Sequence, residues 1–308
     1  MATDATRQKL DLTVKTSRKI KEEGIKGVLA LAALLSVFTT FSIIIVLFKE
    51  SLTFFDHINI LDYLFGTVWN PLHEPRSFGV LPLLNGTVMI VVGSALFAIP
   101  VGLASAIYLS EYASERVRSI IKPVLEILAG IPTVVYGYFA LTTITPFLRS
   151  FIPGVQIFNA GSASLVVGIM ILPMVASLCD DAIRAVPSAI RHAGYALGAT
   201  RAEVVMRVVV PGALSGIVAS FVLAISRAFG ETMAVVLAAG AKPNITMNFG
   251  ESIMTMTAYI VNVSLGDTPA GGIEYQTIFA VGALLFTITL SMNVIAHKVL
   301  RRFREVYE

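Results

Sequence analysis

Six long apolar runs separated by polar stretches outline this chain. They cover roughly residues 28–48, 80–109, 123–148, 161–178, 212–240 and 276–296. At 1.5 Å per residue, about 20 helical residues cross a hydrocarbon core of about 30 Å. No water satisfies the backbone there, so single spanning segments of this length are helices. The pattern predicts an all-α polytopic membrane protein with six transmembrane helices. A seventh apolar stretch, Ile253–Val263, is too short to cross and is expected as an interfacial or re-entrant helix. Small residues recur every four positions in the second run, at Ala98, Gly102 and Ala106, which lets another helix approach closely.

Charge supplies an orientation. Six spans put both termini on one side. With that side cytoplasmic, 18 of the 23 Lys and Arg residues fall in inner segments. The outer loops hold only Lys49, Arg76, Arg149 and Lys242. This asymmetry follows the positive-inside rule. It divides the chain into a basic cytoplasmic segment (residues 1–27), a transmembrane domain (28–297) and a basic cytoplasmic tail (298–308). The segment Leu10–Ile25 reads either as a basic helix on the membrane surface or as a disordered tail. The first apolar run is longer than a signal-peptide core and lacks a small-x-small cleavage site, so it is expected to remain as a span.

Composition narrows the chemistry. Charged residues make up only 14% of the 308. The basic residues lie in short loops, which points to topology rather than nucleic-acid binding. One cysteine, Cys179, excludes an intrachain disulfide. The four histidines match no metal spacing. With no GxxxxGK[ST] loop, the chain is not expected to bind ATP itself.

Two stretches carry candidate function. The first is the polar segment from Asp180 to Pro211, which the topology places in the cytoplasm. Apolar positions recur at helical spacing through Ile190, Ala193 and Leu197, and again through Val204, Val205 and Val208. Gly198 lies between them, where glycine permits a tight reversal. The segment reads as helix, turn and helix ending at Pro211, a shape suited to docking in a partner's groove. The bland reading is a connecting loop. The second stretch is the fifth run, with Arg227 and Glu231 four apart and Ser220 and Ala224 along the same helical face. An intramembrane arginine is costly, so it marks either a structural ion pair with Glu231 or an anion pathway. The guanidinium fork matches phosphate or sulfate oxygens.

The residues themselves carry a family resemblance. His192-Ala193-Gly194, Gly198-Ala199-Thr200-Arg201 and Val208-x-Val210-Pro211 resemble the cytoplasmic "EAA" loop of ABC importer permeases, with nine residues between Gly198 and Val208. His192 replaces that pattern's glutamate and Gly194 its second alanine. Ile99–Gly102, Ala106–Tyr112 and Gly130–Gly137 also resemble this group, and the likeness covers about residues 78–239. Arg227-Ala228-Phe229-Gly230-Glu231-Thr232-Met233-Ala234-Val235 is similar to the motif of phosphate-specific transport permeases, and Phe78–Thr87 to their C-type subunits.

This resemblance implies a type I ABC importer permease of a bacterial inner membrane. The implied partners are an A-type permease, two cytoplasmic ATPase subunits that bind ATP and Mg, and an extracytoplasmic phosphate-binding protein. The implied ATPase-coupling residues are Arg191, His192, Ala193, Gly198, Ala199, Thr200, Arg201, Glu203 and Pro211. Arg227, Glu231 and Ser220 are the pathway candidates. Another oxyanion, such as sulfate, molybdate or phosphonate, is the neighbouring alternative. An ion-driven secondary transporter would call for inverted repeats and more buried acids than are evident.

Overall fold

The computed structural model describes residues 16–303, apart from 267 and 270. The first part of the Leu10–Ile25 segment and the end of the basic tail therefore lie outside the described residues. Two compact units are separable, residues 1–49 and 50–308. The first consists, in its described part, of most of a 40-residue helix, α1 (Thr16–Phe55). Its residues from Lys21 onward form an apolar stretch long enough to span.

In the second unit, a small module follows the end of α1. It holds α2 (Ile60–Phe65) and an antiparallel ribbon pairing Trp69–Asn70 with Ser77–Phe78. Edge-to-face rings tie it together. Phe54 meets Tyr63 at 5.8 Å and Trp69 meets Tyr259 at 4.9 Å between centroids. Such pairs add about 0.5–1.5 kcal/mol each beyond area burial. The polar stretch between the first and second apolar runs thus folds into a packed module.

Long helices α3 (Leu81–Ile107) and α7 (Ala160–Arg184) form the centre. Lipid tails are as apolar as leucine, so close approach rather than hydrophobicity joins such helices. A Cβ on Gly102 would lie 2.7 Å from Val175, and one on Gly168 would lie 2.9 Å from Phe97. Ala98 and Ala106 of the small-residue stripe are fully buried. At its end α3 widens: the Ala113 N–H donates to Tyr108 O at 2.8 Å, five residues back. This makes a π turn over Tyr108–Tyr112.

The run expected as one third span is broken. α4 (Glu115–Gly130) meets the following helical stretch, α5 (Thr133–Phe139) and α6 (Thr145–Phe151), at 91°. Pro132 causes the break, since it disfavours helical backbone at Ile131 and donates no hydrogen bond. α7 runs to Arg184, so Asp180, Asp181 and Arg184 belong to a continuous helix rather than to the polar segment.

Next come α8 (Ser188–Ala196), α9 (Arg201–Val204), a π turn (Val205–Val209) and α10 (Val210–Gly212). The chain then bends by 69° into α11 (Leu214–Phe229). The fifth run is interrupted as well, because α11 stops at Phe229 and α12 (Met233–Ala238) starts anew. α13 (Met256–Leu265) corresponds to the short apolar stretch, and α14 (Ile273–Phe303) closes the fold. Among the described residues, four helices are long and apolar enough to cross a membrane, or six if each bent pair counts as one.

Candidate functional site

The polar segment is built by local signals. Its first helix ends in a Schellman motif: the Gly198 N–H donates to Tyr195 O at 2.9 Å and the Ala199 N–H to Gly194 O at 3.3 Å. Gly198 has φ +81°, the left-handed region in which L side chains are strained. The second helix starts with a capping box. Thr200 Oγ1 accepts from the Glu203 N–H, and the Glu203 carboxylate accepts from the Thr200 N–H at 2.9 Å. The Thr200 backbone bond, then its hydroxyl, hold the Glu203 carboxyl below the usual range. Gly194, where the family pattern has alanine, lets α8 pack on Val204. A Cβ there would lie 3.0 Å from the valine methyl. The helix reaches Gly212, one residue past Pro211.

Apart from half-buried Ala199 and exposed Pro211, the expected coupling residues divide into two groups. His192, Ala193, Gly198, Thr200 and Glu203 are exposed, and Leu197 at the turn is 89% exposed. Arg191 and Arg201 are held by the body of the protein. Arg191 Nε donates to Glu111 Oε1 at 3.1 Å. Its other nitrogens donate to Val186 O at 2.5 Å and to Ile183 O at 2.7 Å. Arg201 donates to the Glu111 backbone carbonyl and stacks over the Tyr112 ring at 4.9 Å. A second set of charges fixes α4 to α7, with Arg118 to Asp180 at 2.6 Å and Lys122 to Asp181 at 3.5 Å.

Sequence reasoning missed Glu111 and Asp180 as partners. The signal was an excess of arginine in the segment with too few acids nearby. The partner lies 80 residues away in the chain, beyond the reach of spacing rules.

The expected pathway residues do not share one helical face. Arg227 lies in the last turn of α11, and Glu231 lies beyond the break at Gly230. Glu231 is buried and caps α12, its Oε1 accepting from the Ala234 N–H at 3.1 Å. Its backbone carbonyl accepts from the Thr257 hydroxyl at 2.8 Å. A carboxylate at a helix start is stabilised by the helix dipole. The structural ion pair is therefore not formed. Arg227 is exposed and makes no ion pair or hydrogen bond among the described residues. It lies within electrostatic reach of Tyr136, whose hydroxyl donates to Leu128 O at 2.7 Å across the α4–α5 break. Ser220 is sealed against α7, 2.8 Å from Cys179 Sγ, and lines no open space.

Helices long and apolar enough to cross a membrane, packed through glycine, with an exposed helix–turn–helix and an arginine that has no ion pair among the described residues, define a polytopic membrane protein. The sequence comparisons specify it. Residues 98–305 match the family model of the binding-protein-dependent transport system inner membrane component, and the chain belongs to that family. It is 31% identical to a probable ABC transporter permease protein of Bacillus subtilis, YqgH, covering 90% of each chain. It is 34% identical to the phosphate transport system permease protein PstC of Mesorhizobium japonicum, covering 76% of each. With PstC of Haemophilus influenzae it shares 32%, covering 79% of this chain and 82% of that one. Among solved structures, a bacterial alginate ABC transporter superposes with TM-score 0.67 at 16% identity, covering 96% of this chain and 100% of that one. The MetNI methionine ABC transporter gives 0.56 at 16%, covering 76% and 100%. At such identities the structural likeness concerns the fold alone.

Proposed function

We propose that this chain is one permease half of an ATP-driven inorganic phosphate importer in a bacterial inner membrane, with both termini cytoplasmic. The observation that carries the proposal is the Arg227 guanidinium on α11, without an ion pair or hydrogen bond among the described residues, set in a chain whose relatives include phosphate transport permeases. A planar fork of donors suits tetrahedral oxyanions. A second, A-type permease would complete the pathway, and an extracytoplasmic phosphate-binding protein would deliver the anion. ATP and Mg would bind to two ATPase subunits, which would dock against the turn around Leu197 and Gly198. Docking that favours one arrangement of the spans over another shifts their populations and exposes the Arg227 region to each side in turn.

Counterflow of labelled phosphate in reconstituted vesicles tests the pathway. Arg227→Ala is expected to abolish phosphate movement while the complex still migrates intact on a native gel. Undiminished phosphate movement in that variant, with assembly intact, would remove Arg227 from the pathway.

A further inference from the structure

Glu111 lies where three elements meet. It belongs to the π turn that ends α3, and it is only 8% exposed. Its carboxylate accepts from Arg191 of α8 at 3.1 Å, and its backbone carbonyl accepts from Arg201 of α9. The same Arg191 closes the end of α7 through Ile183 O and Val186 O. One acidic residue therefore holds both arms of the helix–turn–helix, and one arginine adds α7 to the joint. π turns inside helices often mark functional positions.

We infer that Glu111 is a positioning residue for transport, the joint through which movement of the helix–turn–helix reaches α3. The geometry supports transmission rather than simple anchoring. The α8–α9 turn is exposed at its tip, so force applied there must leave through its base. At the base, Arg191 and Arg201 make the polar bonds to the π turn that ends α3 among the described residues, and both end on Glu111. α3 and α7 approach so closely at Gly102 that a Cβ there would meet Val175, and a joint of that tightness is expected to pass a push on Glu111 to both helices. A charge-assisted bond resists extension better than a neutral one. Without it, the partner ATPase could hydrolyse ATP and move the turn while α3 stayed in place.

This inference rests on the proposed ATP-driven function, and its test separates the two. The full complex, with both permeases, the ATPases and the binding protein, is reconstituted in vesicles. Phosphate moved per ATP hydrolysed and the unfolding temperature are then measured for wild type, Glu111→Gln, Arg191→Lys and the double variant. The joint predicts that Glu111→Gln keeps ATP hydrolysis near wild type but lowers phosphate per ATP about tenfold, equivalent to ~1.4 kcal/mol. Arg191→Lys should lower the ratio at least as far, because it also disturbs the bonds to Val186 O and Ile183 O, and the double variant should be no worse than Arg191→Lys, because the Glu111 bond is already lost there. Glu111→Asp, which keeps the charge, should recover part of the ratio.

An unchanged ratio with a lower unfolding temperature would make Glu111 a purely structural anchor and overturn the inference. Losses that multiply in the double variant would overturn it too. Failure of the wild-type complex to couple ATP to phosphate would instead refute the proposed function.

Discussion

Arg227 and Glu231 show what single residues decide here. They are four apart in sequence, yet the helix ends between them and each has a separate task. Glu231 caps α12, while Arg227 stays unpaired. Their substitutions should therefore behave differently. Glu231→Ala removes a buried cap and is expected to cost about 0.5–2 kcal/mol of stability, read as a lower unfolding temperature in detergent. Arg227→Ala should leave that temperature unchanged and affect transport alone. Equal losses of stability in both would mean that the two form a pair after all.

Glu203 gives a pH-dependent case at the same scale. Its carboxyl is held below the usual range by Thr200, so the capping box contributes stability that is present above the unfolded value of 4.5. That contribution begins to fade below this value and is gone once pH falls through the lower folded value. Hydrogen-exchange protection of the Thr200 and Glu203 amides should fall across this acidic window in wild type. In Glu203→Gln it should stay flat.

Helices and turns show which rules the chain obeys locally. Gly198 occupies the left-handed region, and nothing lies within 4 Å of where its Cβ would be. Gly198→Ala should thus cost about 1–2 kcal/mol through backbone strain alone. A bulkier Gly198→Val should also reduce phosphate moved per ATP, measured in the reconstituted complex. Wild-type coupling there would sink the docking role of the turn. Gly102 is the opposite case, because its Cβ would strike Val175. Gly102→Val should destabilise by about 1–3 kcal/mol through overpacking, read by thermal unfolding.

Legibility follows the range of the interaction. The apolar runs, the small-residue stripe and the Gly198 turn are set by residues within a few positions, and the sequence predicts them; the Thr200–Glu203 cap is equally local, a threonine and a glutamate three apart, but was not read from the sequence. Helix breaks were harder. Pro132 stands in plain view, but apolarity on both sides of it suggested continuity, and so did the apolar residues around Gly230. The Glu111 joint and the Arg118–Asp180 pair join residues 60 to 90 positions apart, which no local pattern records. That Ser220 lies buried against Cys179 was equally hidden, because helical spacing gives a face but not what that face meets.

On the scale of the whole molecule, one end of α7 carries the helix–turn–helix and the other lies against the 248–253 segment, where the Gly161 N–H donates to Phe249 O at 2.7 Å. Arg227, which makes no ion pair among the described residues, lies in the last turn of α11, the helix that packs on α7 through Ser220 and Cys179. In the proposed importer, a partner acting on one end would bias access to the other through this pair of helices. This account of an ATP-driven phosphate permease is tested most directly by ATP hydrolysis in the reconstituted complex, with binding protein, in phosphate or in sulfate. Hydrolysis should rise with phosphate and stay at its basal rate with sulfate. Stimulation by sulfate alone, or hydrolysis indifferent to both anions, would contradict it.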